Sequence, residues 1–298
     1  MKIARLISVA LIAALCASCS TTRVLQDDEY RLAKNHIEIV NDEEFNPSQL
    51  NPYLKQKPKG WSPFLYVYNW ANGKGKTWDK LVKKIGVAPT VYDADLVDNS
   101  IENIDNHLTY HGYYGSHTES ENNVKERRAN DTYKVNLGDR IPISDLEITL
   151  PKRGEFAQDF INDTSSMTVK HGDYLSESSL EVETERFATM LRNQGYYTFN
   201  KNYFFFEADT LTYPGSAILK LQVNEYTRNE TPRDADPIRR FYIDNVSISY
   251  PKTMKIREKV LTDLNLIKPG ELYSENVIKN TYSRFSIGTS VTFPPLPS

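Results

Sequence analysis

Apolar and polar residues alternate along three short stretches of the chain: His36-Ile37-Glu38-Ile39-Val40, Asp145-Leu146-Glu147-Ile148-Thr149-Leu150-Pro151 and Asn245-Val246-Ser247-Ile248-Ser249-Tyr250-Pro251. A period of two sends one set of side chains into a core and the other to solvent, so each stretch predicts a half-buried strand. The second and third also share an isoleucine two residues ahead of their Asp or Asn, at Ile143 and Ile243, which marks them as copies of one unit.

After each strand come a short helix candidate, a spacer and a longer helix with a legible start. The starts are Asp93, Ser176 and Ser274, whose side-chain oxygens can accept from the free amides of a first helical turn. In the first two copies the apolar period becomes helical, Val97, Ile101, Ile104 and Leu108 answering to Leu180, Phe187 and Leu191. Both helices end alike, as Leu108-Thr109-Tyr110-His111-Gly112-Tyr113-Tyr114 and Leu191-Arg192-Asn193-Gln194-Gly195-Tyr196-Tyr197. A glycine just past a helix end can take the left-handed conformation that closes the last turn, and paired tyrosines favour an extended chain after it.

Two further strands are expected in each unit, at about 113–124 and 132–137 in the first and about 196–207 and 217–223 in the second. The last of each alternates, through Tyr133, Val135 and Leu137 and through Leu219, Leu221 and Val223. The predicted unit is strand, helix, helix, strand, strand: an α+β fold with a small three-stranded sheet and two helices on one face. It divides the chain into 31–138 with an insertion at about 58–90, 139–226, a charged linker at 227–238 carrying Pro232 and Pro237, and an incomplete unit at 239–298. Ser290-Val291-Thr292-Phe293 reads as the start of one more strand before Pro294-Pro295-Leu296-Pro297-Ser298.

The beginning of the chain is different in kind. Lys2 and Arg5 precede an apolar or small run from Leu6 to Ser18, the layout of an export signal and too short for a membrane span. The run closes as Leu15-Cys16-Ala17-Ser18-Cys19, so residues 1–18 read as a signal peptide and Cys19 as the acylated first residue of a tether at 19–30; the alternative is ordinary cleavage near Ala17. No cysteine follows Cys19, which leaves the exported chain without an internal disulfide or a thiolate nucleophile. Lys and Arg number 36 against 39 Asp and Glu, and the signs are mixed along the chain, so the basic patch of a nucleic-acid binder is absent.

A unit of this order, repeated behind a lipoprotein signal and with helix ends reading Gly112-Tyr113-Tyr114 and Gly195-Tyr196-Tyr197, resembles the POTRA domains of the BamA/TamA outer-membrane assembly superfamily. It is most similar to the lipidated TamA-like branch, TamL, of Bacteroidetes-type bacteria. Tyr68-Asn69-Trp70, Trp78-Asp79-Lys80-Leu81 and Lys84-Ile85-Gly86-Val87-Ala88-Pro89 resemble the insertion in the first POTRA domain of that branch. The resemblance implies tandem POTRA domains, no catalysis, no cofactor and a part in outer-membrane protein translocation and assembly. It also implies a lipid anchor at Cys19 on the periplasmic face of the outer membrane, with unfolded outer-membrane proteins and an elongated TamB-like protein as partners. Members of the family continue into a C-terminal β-barrel; none is found up to Ser298, so a fragment, a truncated product or a degenerate copy is expected.

A small three-stranded sheet leaves edge strands to which an extended peptide can add through main-chain hydrogen bonds. The expected docking strand is Tyr203-Phe204-Phe205-Phe206-Glu207; alternatively Phe204 and Phe206 face the core while Tyr203 and Phe205 lie against a neighbouring unit. Other chemistry is thinner. His107 and His111 lie four apart with His117 and Glu119 near, but the helix has no Glu where a metalloprotease needs one, and no metal site is assigned. Gly73-Lys74-Gly75-Lys76-Thr77 resembles a phosphate loop with Trp70 where the first glycine belongs, and reads instead as a basic surface turn near lipid headgroups. Asp27-Asp28-Glu29, Asp42-Glu43-Glu44 and Asp93 with Asp95 fall at turns or helix starts, where negative charge meets free amides. Trp61, Trp70, Trp78 and 19 tyrosines keep a glycan-binding surface lipoprotein as the second reading; the first needs no small-molecule substrate.

Overall fold

The computed structural model describes residues 21–59, 63–71, 75–151, 155–225, 238–249 and 257–288. The signal segment with Cys19, Trp61, Gly73 and Lys74, residue 226 and residues 227–237 of the expected linker, Tyr250 and Pro251, and 289–298 lie outside them. The chain forms two compact units that divide between Arg140 and Ile141. Both are α+β, as the sequence pattern requires.

In the first unit, β1 (Arg31–Ile39) is followed by a 3-10 turn (Pro47–Tyr53), α1 (Pro63–Tyr68), α2 (Lys76–Ile85) and α3 (Ala94–Tyr110), then β2 (His117–Lys125) and β3 (Arg128–Asn136). The first short helix is 3-10 rather than α because Pro47 and Pro52 remove two backbone donors from it. The sheet order is β1-β3-β2. β1 runs parallel to β3, which the intervening helices allow by crossing over, and β2 runs antiparallel to it. The β2–β3 turn is two residues long, Glu126 and Arg127, at φ 51° and 58°. Two left-handed residues match the twist of the flanking strands. α3 lays Val97, Ile104 and Leu108 on Ile37, Tyr133 and Val135 of the sheet.

The second unit contains β4 (Ile143–Thr149), α4 (Phe156–Asp163), a 3-10 turn (Thr164–Ser166), α5 (Glu177–Asn193), a second 3-10 turn (Lys201–Tyr203), β5 (Phe204–Asp209) and β6 (Ala217–Val223). Its sheet has the order β4-β6-β5, again with the first strand parallel to the last and the middle strand of the sequence antiparallel. The same bulge recurs, between Leu32 and Lys34 in β1 and between Ile143 and Asp145 in β4. An aromatic cluster fills the core: Phe160 stacks on Phe187 at 4.8 Å and Phe156 meets Tyr196 edge-on at 5.3 Å.

The repeat is visible bond for bond just ahead of each long helix. Three isolated antiparallel bridges, Arg31 with Val91, Pro142 with Tyr174 and Tyr242 with Leu272, each lie two residues before a helix-start residue, Asp93, Ser176 or Ser274. Around them Leu32, Ile143 and Ile243 donate N–H to the C=O of Thr90, Asp173 and Glu271, each at 2.8 Å. Asp93 and Ser176 accept from the amides of Asp95 and Ser179, and Ser274 precedes α7 (Glu275–Gly288), which α6 (Glu258–Leu264) leads into.

These anchors fix the alignment of the strands. Ala129 of β3 pairs with Leu32 and Ala217 of β6 pairs with Ile143, so Asp131, Tyr133 and Val135 occupy the places of Leu219, Leu221 and Val223, and Ile37 that of Ile148. The third copy is corrected: residues 244–249 form no strand. In both complete sheets the first strand is held by the last, and among the described residues no such strand follows α7. The expected strands at Tyr113 and Tyr196 begin later, at His117 and Phe204, because the tyrosines stay in the turns that follow the helices.

Candidate functional site

Among the described residues β5 lies at the margin of its sheet and pairs with β6, from Phe204 opposite Val223 to Asp209 opposite Ile218. Tyr203 precedes the strand and closes a 3-10 turn; its C=O accepts from Asn224 N–H at 3.1 Å. Phe204 is 1 % exposed and belongs to the aromatic core, on which Phe206 also packs, and Tyr203 stacks on Phe199 at 5.0 Å. Phe205 is half-buried and Glu207 exposed on the alternate face. Most of the aromatic run is therefore spent on the core, as the second of the two sequence readings had it for Phe204 and Phe206. The strand's outward offer is its main chain, with Phe205 and Glu207 beside it.

The edge strand of the first unit is of another character. In β2 only Thr118 is buried, its hydroxyl donating to Asp105 at 2.6 Å, and His117, Glu119, Glu121 and Lys125 stud the rest. Charge along an edge discourages pairing with foreign strands. Lys134 on β3 reinforces this face with a 2.7 Å pair to Glu121.

The Gly-Tyr-Tyr sequences sit at the joints rather than at the strand edges. Gly195, at φ 103°, closes α5 and accepts from Phe241 N–H at 2.8 Å; a Cβ there would come within 2.9 Å of Leu272. Tyr196 is buried and its hydroxyl donates to Asp159, which also takes a 2.6 Å bond from Arg240, whose guanidinium lies 5.7 Å from the Tyr196 ring centre. Burial first, and then the bond to Asp159, pushes the Tyr196 phenol up. Tyr197 packs edge-on against Tyr273 at 4.8 Å. Arg192 holds Glu275 at 2.7 Å, and Asn193 accepts from Asn276 N–H at 2.8 Å. In the first unit Gly112, at φ 87°, precedes Tyr113, over which Arg140 stacks at 5.1 Å, and Tyr114, which exchanges two 3.1 Å backbone bonds with Asp139. The first motif grips the last residues of its own unit, and the second grips residues around Phe241 and Tyr273 ahead of α7.

His107 and His111 share one concavity. An open groove of about 740 Å³ is lined by Asp42, Glu44, His107, His111, Tyr113 and Arg140 among others, with no Ser, Thr or Cys among the described residues of its wall. His107 stacks on Tyr53 at 3.9 Å, and burial, followed by the nearby His111, lowers its pKa, which favours the neutral imidazole. His117 instead lies on β2 beside Glu119 at 3.5 Å. Among the described residues no three His, Cys, Asp or Glu side chains come together as metal ligands, and no helix is long and apolar enough to cross a membrane. The acidic runs serve turns and caps: Asp42 takes the amide of Glu44 at 2.8 Å and Asp93 that of Asp95 at 3.0 Å.

No protein-family model matches this sequence, and no curated protein sequence does. Solved structures do resemble it. POTRA domains 3–5 of BamA from Haemophilus influenzae match at 12 % identity and a TM-score of 0.44, covering 89 % of each chain. BamA from Haemophilus ducreyi lacking POTRA domains 1–3 matches at 14 % identity and a TM-score of 0.34, over 67 % of this chain and 30 % of that one. The N-terminal domain of Omp85 from Thermosynechococcus elongatus matches at 12 % identity and 0.31, over 88 % of each.

Proposed function

We propose that this chain is a non-catalytic, lipid-anchored receptor for extended polypeptides, held at the periplasmic face of the outer membrane through Cys19 and taking part in outer-membrane protein assembly. The observation that carries this reading is the margin position of β5 in a sheet whose other two strands are β4 and β6. An extended client adds there as a fourth strand. Main-chain hydrogen bonds make the affinity tolerant of client sequence, and Phe205 and Glu207 touch alternate client side chains. Unfolded outer-membrane strands, which alternate apolar and polar residues, suit such a margin, as does a TamB-like β-rich partner. The anchor supports the same reading, since residue 21 is already packed onto the first unit, where Arg31 donates to Thr21 at 2.6 Å. The sequence resemblance to TamL agrees with each of these elements.

The test is site-specific photocross-linking. A photoreactive residue at Phe205 or Glu207 is expected to capture a denatured outer-membrane barrel protein, whereas one at Leu211, 91 % exposed in the β5–β6 connection, captures little. Equal capture at all three positions, or none at β5, contradicts the reading.

A further inference from the structure

The α1–α2 hairpin, between β1 and α3, carries a face that neither the sheet nor the joints use. At about 100° per residue, α2 separates into two stripes. One holds Trp78, Leu81, Val82 and Ile85; the other holds Lys76, Lys80, Lys83 and Lys84. Val82 alone of the apolar four is buried, and Trp78, Leu81 and Ile85 remain 48 %, 50 % and 52 % exposed. Phe64 on α1 and Trp70, two residues beyond its end, are exposed to a similar degree.

The hairpin is fixed in place rather than loosely attached. Val87 N–H donates to Phe64 C=O at 2.9 Å, and Gly86 passes so close to Tyr68 that a Cβ would lie 2.5 Å from its backbone nitrogen. The N-terminal tether is tied to the same hairpin: Val24 N–H donates to Asn69 Oδ1 at 3.4 Å, and Asn69, itself buried, holds Leu65 C=O at 2.8 Å. Residue 19 is two residues before the buried Thr21, and two residues span at most about 7 Å.

We propose that this hairpin is a membrane-docking element that seats Trp78, Leu81 and Ile85 of α2 at the surface of an anionic bilayer, with Lys80 and Lys84 on its lipid phosphates. A short helix with a basic stripe beside an aromatic and aliphatic one is the chemistry of interfacial binding, and long lysine side chains reach headgroups while their stems cover apolar surface. Lys84 neighbours Leu81 along the helix and so borders the apolar stripe, and Lys80 neighbours Lys84 on the basic stripe. The proposal deepens the anchored-receptor reading: the lipid at Cys19 holds the chain at the membrane, and this second, protein-borne contact seats the first unit against it.

The experiment uses the chain from residue 19 onward with Cys19→Ser, so that neither export signal nor lipid contributes, and measures co-sedimentation with vesicles of phosphatidylglycerol mixed into phosphatidylcholine and with phosphatidylcholine alone. Binding to the anionic vesicles is expected, and both Lys80→Glu/Lys84→Glu and Trp78→Ser/Leu81→Ser/Ile85→Ser are expected to weaken it on the order of ten-fold or more. All five side chains are exposed, and an unchanged melting temperature in each variant confirms that folding is intact. Failure of the parent to bind anionic vesicles, or variants that bind as well as the parent, overturns the proposal and leaves this face to a protein partner. The anchor is read separately, from the mass of the N-terminal peptide of the membrane-purified chain; an unmodified Cys19 sinks the anchor without affecting the vesicle result.

Discussion

The two units follow one backbone plan and, among the described residues, bury one carboxylate each, with opposite consequences. In the second unit Glu183, on the inner face of α5, is 3 % exposed and fully bonded: Arg186 donates to it at 2.8 and 3.0 Å, Thr168 N–H at 3.0 Å, and the Thr168 hydroxyl as well. Burial alone would raise its pKa, but the bonds from Arg186 and Thr168 prevail and hold it below the ordinary value. In the first unit Asp131, on the inner face of β3, is 1 % exposed, and neither carboxylate oxygen finds a donor among the described residues. Its ladder neighbours, Asn35 and Asn122, are uncharged, and burial pushes it up to about 6. The second unit has Leu219 at this place and Leu146 opposite it. Equal topology thus tolerates a satisfied charge, an unsatisfied one or none, and the differences fall in stability rather than in fold.

The largest expected effect comes from making the second unit imitate the first. Leu219→Asp places an unpaired carboxylate at a buried position of β6 and is expected to destabilise the second unit by about 3–5 kcal/mol, read from its denaturant midpoint. A loss under about 1 kcal/mol would show that this sheet also accommodates a bare acid.

The converse change relieves the first unit. Folded Asp131 keeps its proton up to about pH 6, while an unfolded chain releases it near 3.8, so ionisation favours unfolding; the contribution of this group is most favourable below pH 4 and is lost as pH rises to about 6. The loss is about 3 kcal/mol, and Asp131→Leu is expected to restore it at neutral pH and flatten the profile. All three tryptophans, Trp61, Trp70 and Trp78, precede Arg140, so tryptophan fluorescence follows this unit alone. The second unit should run the other way: Glu183 contributes stability above its unfolded pKa of 4.5, and that contribution is lost on acidification below it. Parallel pH profiles in the two units would break the comparison. A smaller effect is expected at the caps, where Ser176→Ala and Asp93→Ala each cost about 1 kcal/mol in the unit that carries them.

Much of this organisation is legible in the sequence, for physical reasons that also mark where reading fails. Asp93 and Ser176 are visible because capping needs a particular side chain at one position. Alternation is unchanged by a shift of two, so it does not fix how the strand copies align; the bridges ahead of the helices, made of backbone bonds, do. Asp131 is not legible because the expected strand begins one residue after it, at Thr132. Tyr196 reads as a strand former by propensity, yet Gly195 turns it into the core against Asp159. The aromatic run of β5 is legible as a strand, but alternation alone does not say which rings face inward; the packing of Phe204 and Phe206 on the core decides that.

The central claim is that β5 receives an additional strand, and amide hydrogen exchange along Phe204–Asp209 tests it most directly. With a peptide copied from one transmembrane strand of an outer-membrane barrel protein, alternate amides of β5, those turned away from β6, are predicted to slow markedly while β2 amides stay unchanged. Exchange in β5 that is indifferent to the peptide, or protection appearing along β2 instead, would contradict the account.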